Sequence, residues 1–174
     1  MSMRWLCAGM MLALWSPTSA AEPSNPPAAG PCDRPECRQF DFWIGVWDVS
    51  LPDGSKAGTN RIEKILDGCV LEENWTGAQG LRGKSLNLYS AGDRRWHQTW
   101  VDSKGSRLDL AGGLRGKNMV LEGEVARASG VIVAHRITWE PLDDGGVRQH
   151  WQSSQDGRKT WSDAFIGIYR RQAE

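Results

Sequence analysis

The sequence predicts an all-β protein, a single antiparallel up-and-down barrel of about ten strands. From Phe40 onward apolar and polar residues alternate in short runs, and no 3.6-residue period is sustained. Gly and Asp turn signals punctuate the runs: Pro52-Asp53-Gly54, Asp67-Gly68, Ala91-Gly92-Asp93, Gly112-Gly113, Asp143-Asp144-Gly145-Gly146 and Asp156-Gly157. Successive runs follow one another without the long crossover connections that a two-sheet sandwich requires, so near-neighbour hairpins dominate. A sheet of that many strands tends to curl shut, because closure removes its exposed edges.

In chain order, residues 1–21 come first and read as a secretory signal peptide. Arg4 supplies a short positive start, residues 5–15 (WLCAGMMLALW) form an apolar run, Pro17 breaks it, and Thr18-Ser19-Ala20-Ala21 offers small residues for cleavage. The apolar run is too short to span a bilayer as a stop-transfer helix. Cys7 lies too near the start to be a lipid-acylation site. The expected compartment is periplasmic or secreted, with no membrane span once the signal is removed. Residues 22–39, opening with a stretch rich in Pro and small residues, read as a flexible leader, and residues 40–171 as the barrel domain.

Cleavage removes one basic residue and no acidic one, leaving 20 basic against 21 acidic residues. No basic stripe interleaves with aromatic residues, so nucleic acid and anionic membrane surfaces are not expected partners. Three cysteines remain, Cys32, Cys37 and Cys69, enough for one disulfide in an oxidising compartment. Cys32–Cys37 would close a short loop through Pro35. Cys32–Cys69 would tie the leader to the barrel wall; it constrains more of the unfolded chain and is preferred. No CxxC pair or neighbouring His gives metal-ligand spacing, and neither a metal nor a cofactor is expected.

The strand runs are approximately 42–50, 58–65, 70–76, 84–90, 96–102, 107–111, 119–125, 131–140, 147–153 and 164–170. Neighbouring side chains on a strand point to opposite faces, so each run sorts its residues into two sets. One assembly of sets stands out: Glu72 and Asn74; Ser85, Asn87 and Tyr89; Trp96, Gln98 and Trp100; Arg136 and Thr138; Gln149 and Trp151. Together they would make a wall of amides, hydroxyls and indoles. Indoles demand burial, and amides buried beside them need partners from one another, from water or from a ligand. A cavity for a small polar or ring-containing ligand fits this mixture. Trp43, Trp47 and Trp139 read instead as barrel packing.

Catalytic signatures are sparse. Glu72 and Glu73 are adjacent, so they face opposite ways and cannot act as a pair on one wall. Glu72, Asp102 and Arg136 could face one lumen and serve a hydrolase or isomerase, although a structural salt bridge from Arg136 or another basic residue to Glu72 is the plainer expectation. No nucleophile elbow surrounds any serine. By parity, His97, His135 and His150 fall opposite the proposed ligand wall. The alternative to both a binder and an enzyme is an envelope protein with no small ligand.

Phe40-Asp41-Phe42-Trp43-Ile44-Gly45-Val46-Trp47-Asp48 places Gly-x-Trp on the first strand, and Tyr169-Arg170-Arg171 closes the last. This resembles the calycin arrangement of lipocalins, fatty-acid-binding proteins and nitrobindins. The resemblance implies that a first-strand Trp packs at the closed end, with a basic residue of the last strand over it. Nitrobindins hold haem through a late-strand His, for which His150 is the nearest analogue. The stretches RQFDFWIGVWDV, GTNRIEKILDGCVLEENWTG, RGKSLNLY, RRWHQTWVD, RITWEPL and RQHWQSSQDGRKTW resemble a family of small secreted bacterial proteins of unknown function with an expected calycin-like barrel. Ser154-Gln155-Asp156-Gly157-Arg158-Lys159-Thr160-Trp161 is similar to the Asp-box of sialidase propellers, with Arg158 where that motif has Gly. It implies only a hairpin turn capped by Asp156 and anchored by Trp161.

Overall fold

In the computed structural model, which describes residues 30–173, ten antiparallel strands close into one ring. They are β1 (Gly45–Ser50), β2 (Lys56–Ile65), β3 (Val70–Gly77), β4 (Arg82–Ser90), β5 (Arg95–Asp102), β6 (Arg107–Arg115), β7 (Asn118–Ala126), β8 (Ile132–Pro141), β9 (Val147–Ser154) and β10 (Ser162–Arg171). Every strand pairs with its neighbours in sequence, and β1 pairs with β10, so the up-and-down barrel is the observed fold. The expected signal peptide, and the leader as far as residue 29, lie outside the described residues. Among the described residues no helix is long and apolar enough to cross a membrane.

Two boundaries depart from expectation for physical reasons. Residues 42–44 were expected to begin the first strand. Instead Asp41–Trp43 forms a short 3-10 turn in which the Trp43 N–H donates to the Phe40 carbonyl at 3.1 Å. The turn folds Phe40 and Trp43 under the barrel, stacked at 4.9 Å, and β1 begins only at Gly45. Gly45 sits at φ +148°, a backbone state that side chains rarely adopt, and Arg171 occupies the space a Cβ would need. The expected turn at Gly112-Gly113 lies within β6, and the chain reverses at Gly116. A Cβ on Gly112 would collide with the Val120 carbonyl, so glycine there lets β6 and β7 approach closely.

One end of the ring is plugged by aromatic side chains. Phe40 lies 5.1 Å from Trp139 and 5.6 Å from Trp96, and Trp43 lies 5.3 Å from Trp139. Trp43, Trp47, Trp96 and Trp139 are fully buried. Each such indole contributes about 4–6 kcal/mol of transfer free energy before the cost of ordering it. The Trp47 indole donates to the Trp43 carbonyl at 2.9 Å, and the Trp96 indole to Gln39 Oε1 at 3.2 Å. Above Trp47 the guanidinium of Arg171 stands 4.4 Å from the ring and donates to the Ile44 carbonyl at 3.0 Å. That is the basic cover over a first-strand Trp that the calycin resemblance implies.

Cys32 and Cys69 form a disulfide that fastens the segment before the plug to the β2–β3 turn. Cys37 is a free, buried thiol. At the opposite end Asp156 caps the β9–β10 turn. Its carboxylate accepts from the Lys159 and Thr160 amides at 3.0 Å, and from the Thr160 and Ser154 hydroxyls at 2.6 and 2.8 Å. These bonds, those from Thr160 first, hold its carboxyl far below the usual range. Arg158, at φ +68°, takes the position where the similar motif has glycine, and it pairs with Glu122 and Glu124 across the surface.

Candidate functional site

The plug fills one end of the ring; towards the other end the inward side chains leave a part-open cavity of about 240 Å³. Its walls are rings. Trp75 from β3, Trp100 from β5, Trp151 from β9 and Phe165 from β10 line it, with Leu81, Leu108, Ile137 and Ala164 between them. Trp75 meets Phe165 edge-on at 6.1 Å. Trp100 lies over Gly83, where any Cβ would collide with its indole, so the glycine on β4 seats the ring. The Trp151 indole donates to Nδ1 of His135 at 3.0 Å, which tethers the ring to the neighbouring strand.

The floor is polar. Glu73, Gln98, Gln149 and Tyr169 line it, and behind them lie Asn60, Ser85 and Asn87, all buried. Strand register explains the pairings. Glu73 stands directly across from Ser85, and Asn87 directly across from Gln98, the closest side-chain neighbours a sheet provides. Gln98 Nε2 donates to Asn87 Oδ1 at 2.8 Å, and Asn87 Nδ2 donates to Ser85 Oγ at 2.8 Å. The Ser85 hydroxyl donates to Glu73 Oε2 at 2.6 Å, while Asn60 Nδ2 donates to Glu73 Oε1 at 2.7 Å. Tyr169 donates its hydroxyl to Gln149 Oε1. Burial pushes the Glu73 carboxyl above its ordinary range, against the opposing pull of Ser85 and Asn60. Burial also drives the Tyr169 hydroxyl well up, and the neighbouring Glu73 adds to this.

The expected wall is assembled only in part. Gln98, Trp100, Gln149 and Trp151 line the cavity, and Ser85 and Asn87 belong to the hydrogen-bond network under it. Tyr89 and Trp96 face inward as expected but sit at the plugged end, where Trp96 packs edge-on to Phe40. Glu72 and Asn74 are on the outer face, a correction to the expected parity of β3. Leu71 and Trp75 carry the inward face of that strand, and Glu73 goes in with them. Outside, Glu72 accepts from Asn74 and Lys84, both at 3.1 Å, and these bonds hold its carboxyl below the usual range. The expected structural salt bridge is thus made with Lys84 and not with Arg136.

Strand β8 is likewise turned over. Ile137 and Trp139 point inward, which puts Arg136 outside, 4.2 Å over the Trp161 ring and donating to Gln152 at 2.8 Å. Thr138 shares that outer parity, and His135, expected outside, joins the cavity side through Trp151. His97 and His150 do lie outside, on Asp93 at 2.8 Å and Asp163 at 2.6 Å. Asp102 caps the β5–β6 turn, accepting from the Lys104 and Ser106 amides at 2.9 and 3.0 Å. Glu72, Asp102 and Arg136 therefore do not converge, and the enzyme constellation built on them is not formed. Among the described residues no group of three His, Cys, Asp or Glu side chains is placed to hold a metal ion.

Glu73, Trp75, Tyr169 and Phe165, which line the cavity, and Asn60 behind its floor are absent from the expected wall. The alternation Leu71-x-Glu73-x-Trp75 was the available signal, since two large apolar groups select the buried face of a strand. Chemically, the assembled site offers flat indoles for stacking above a carboxyl and two amides. No protein-family model and no curated protein matches the chain. The ten-strand ring with Arg171 over Trp47 is compatible with a calycin-like barrel.

Proposed function

We propose that the protein is a periplasmic or secreted barrel of calycin type that binds a small ligand carrying a ring and a polar head. The observation that carries this reading is the cavity itself, with four aromatic walls over a floor whose hydrogen-bonding capacity is incompletely used. Gln98 Oε1 and Gln149 Nε2 have no hydrogen-bond partner among the described residues, although both side chains line the cavity. Neither atom is sealed inside protein, so an open acceptor and an open donor on one floor suit a ligand that bonds to both. A volume of about 240 Å³ suits a molecule of one or two rings. The signal-like residues 1–21 and the Cys32–Cys69 disulfide support an oxidising compartment outside the cytoplasm.

The test is thermal-shift and tryptophan-fluorescence titration of the purified protein against a panel of small ring-containing metabolites. A binder raises the melting temperature and alters the emission, and the response disappears in Trp100→Ala and Trp151→Ala while the plug tryptophans remain. Silence across the whole panel overturns the reading. N-terminal sequencing of the exported protein, expected to begin at Ala21 or Glu22, checks the compartment.

A further inference from the structure

We propose, resting on the ligand-binding reading of the cavity, that the ligand is an organic cation: a ring-bearing amine whose ammonium group pairs with Glu73. Two neutral donors converge on Glu73, one on each carboxyl oxygen. Ser85 accepts a hydrogen bond from Asn87 and donates its own to Glu73 Oε2, and Asn60 Nδ2 donates to Glu73 Oε1. That polarity suits an acceptor carboxylate, with both oxygens already engaged by neutral donors. What the site lacks is a positive charge. No Lys, Arg or His lines the cavity, and no cationic side chain pairs with Glu73 among the described residues. The groups facing Glu73 from β2, β4, β5, β9 and β10 are Asn60, Ser85, Gln98, Gln149 and Tyr169, and only the last can titrate.

A carboxylate buried without a counter-charge is costly to keep ionised, in accord with the upward displacement of its pKa. A ligand ammonium removes that cost on binding. The remaining geometry selects the same ligand class. Trp75, Trp100 and Trp151 line the cavity, and indole rings attract cations as well as other rings; Gln98 Oε1 adds a neutral acceptor for a second N–H. An anionic ligand meets the opposite environment, since its charge would stand beside Glu73 with no basic residue lining the cavity.

The experiment is isothermal titration calorimetry at neutral pH with three probes sharing one ring: 2-phenylethylamine, 2-phenylethanol and phenylacetate. The amine is expected to bind about tenfold or more tighter than the alcohol, with the acid weakest. In Glu73→Gln, with folding checked by circular dichroism, the amine and the alcohol are expected to bind alike. Equal affinity of amine and alcohol for the wild-type protein overturns the cation assignment and leaves the cavity a binder of neutral rings. Preference for phenylacetate overturns it too. If none of the three binds, the cation proposal falls, and the metabolite panel decides separately whether the cavity binds anything.

Discussion

The indole N–H of Trp151 donates to Nδ1 of His135, 3.0 Å away on the adjacent strand, and so couples the cavity wall to a titratable ring. Nδ1 accepts that bond only while it carries no proton. Burial, with the charge of Arg127 adding to it, lowers the His135 pKa below its ordinary 6.5. The unfolded chain therefore takes up this proton at a higher pH than the folded barrel does. The contribution of His135 to stability is complete above the unfolded value and is lost as pH falls through the folded one. Urea midpoints are expected to fall between about pH 7.5 and about pH 5, and to fall by less in His135→Gln. Equal losses in the two proteins would show that the pair does not sense pH.

Gly83 supports Trp100 by having no side chain. In Gly83→Ala the new methyl group and the indole claim the same space. Overpacking of this kind costs about 1–3 kcal/mol, and the expected relief is a swing of Trp100 into the cavity. Gly113→Ala is the control, since a Cβ there meets nothing within 4 Å. Chemical denaturation should separate the two variants, and near-ultraviolet circular dichroism should change in the first alone.

The disulfide joins residues 37 positions apart. Loop-closure entropy for that separation gives about 4 kcal/mol of stabilisation, lost in the double variant Cys32→Ser/Cys69→Ser. Denaturation of both proteins under oxidising conditions measures the difference. A loss well under 1 kcal/mol would mean that the leader is already held by the plug contacts of Phe40 and Trp43 without the bridge.

Alternation made most of the ring legible, together with the inward faces of β4, β5 and β9. It failed where a strand offered a polar residue on both faces. In β3 the adjacent Glu72 and Glu73 are chemically equivalent, and only the apolar partners, Leu71 and Trp75, decide which goes in. In β8 the same preference for burying Ile137 and Trp139 turns Arg136 outward. Weighting large apolar residues above polar pattern would have placed both strands. Other features were beyond one-dimensional reading. The plug depends on the Phe40–Trp43 turn, which looks like strand in sequence. Which inward residues meet the plug and which meet the cavity depends on height along the barrel, and that is set by pairing across strands.

The wall is completed where β1 meets β10, in a seam running from Trp47 opposite Arg171 to Ser50 opposite Ile168. Its two sides come from stretches far apart in the chain, so they can zip only after the intervening hairpins are in place. Until then β1 and β10 each present an unpaired ladder that a second copy of the chain can extend. Dilution during refolding should therefore govern recovery of the monomer, because intramolecular sealing competes with strand exchange between molecules.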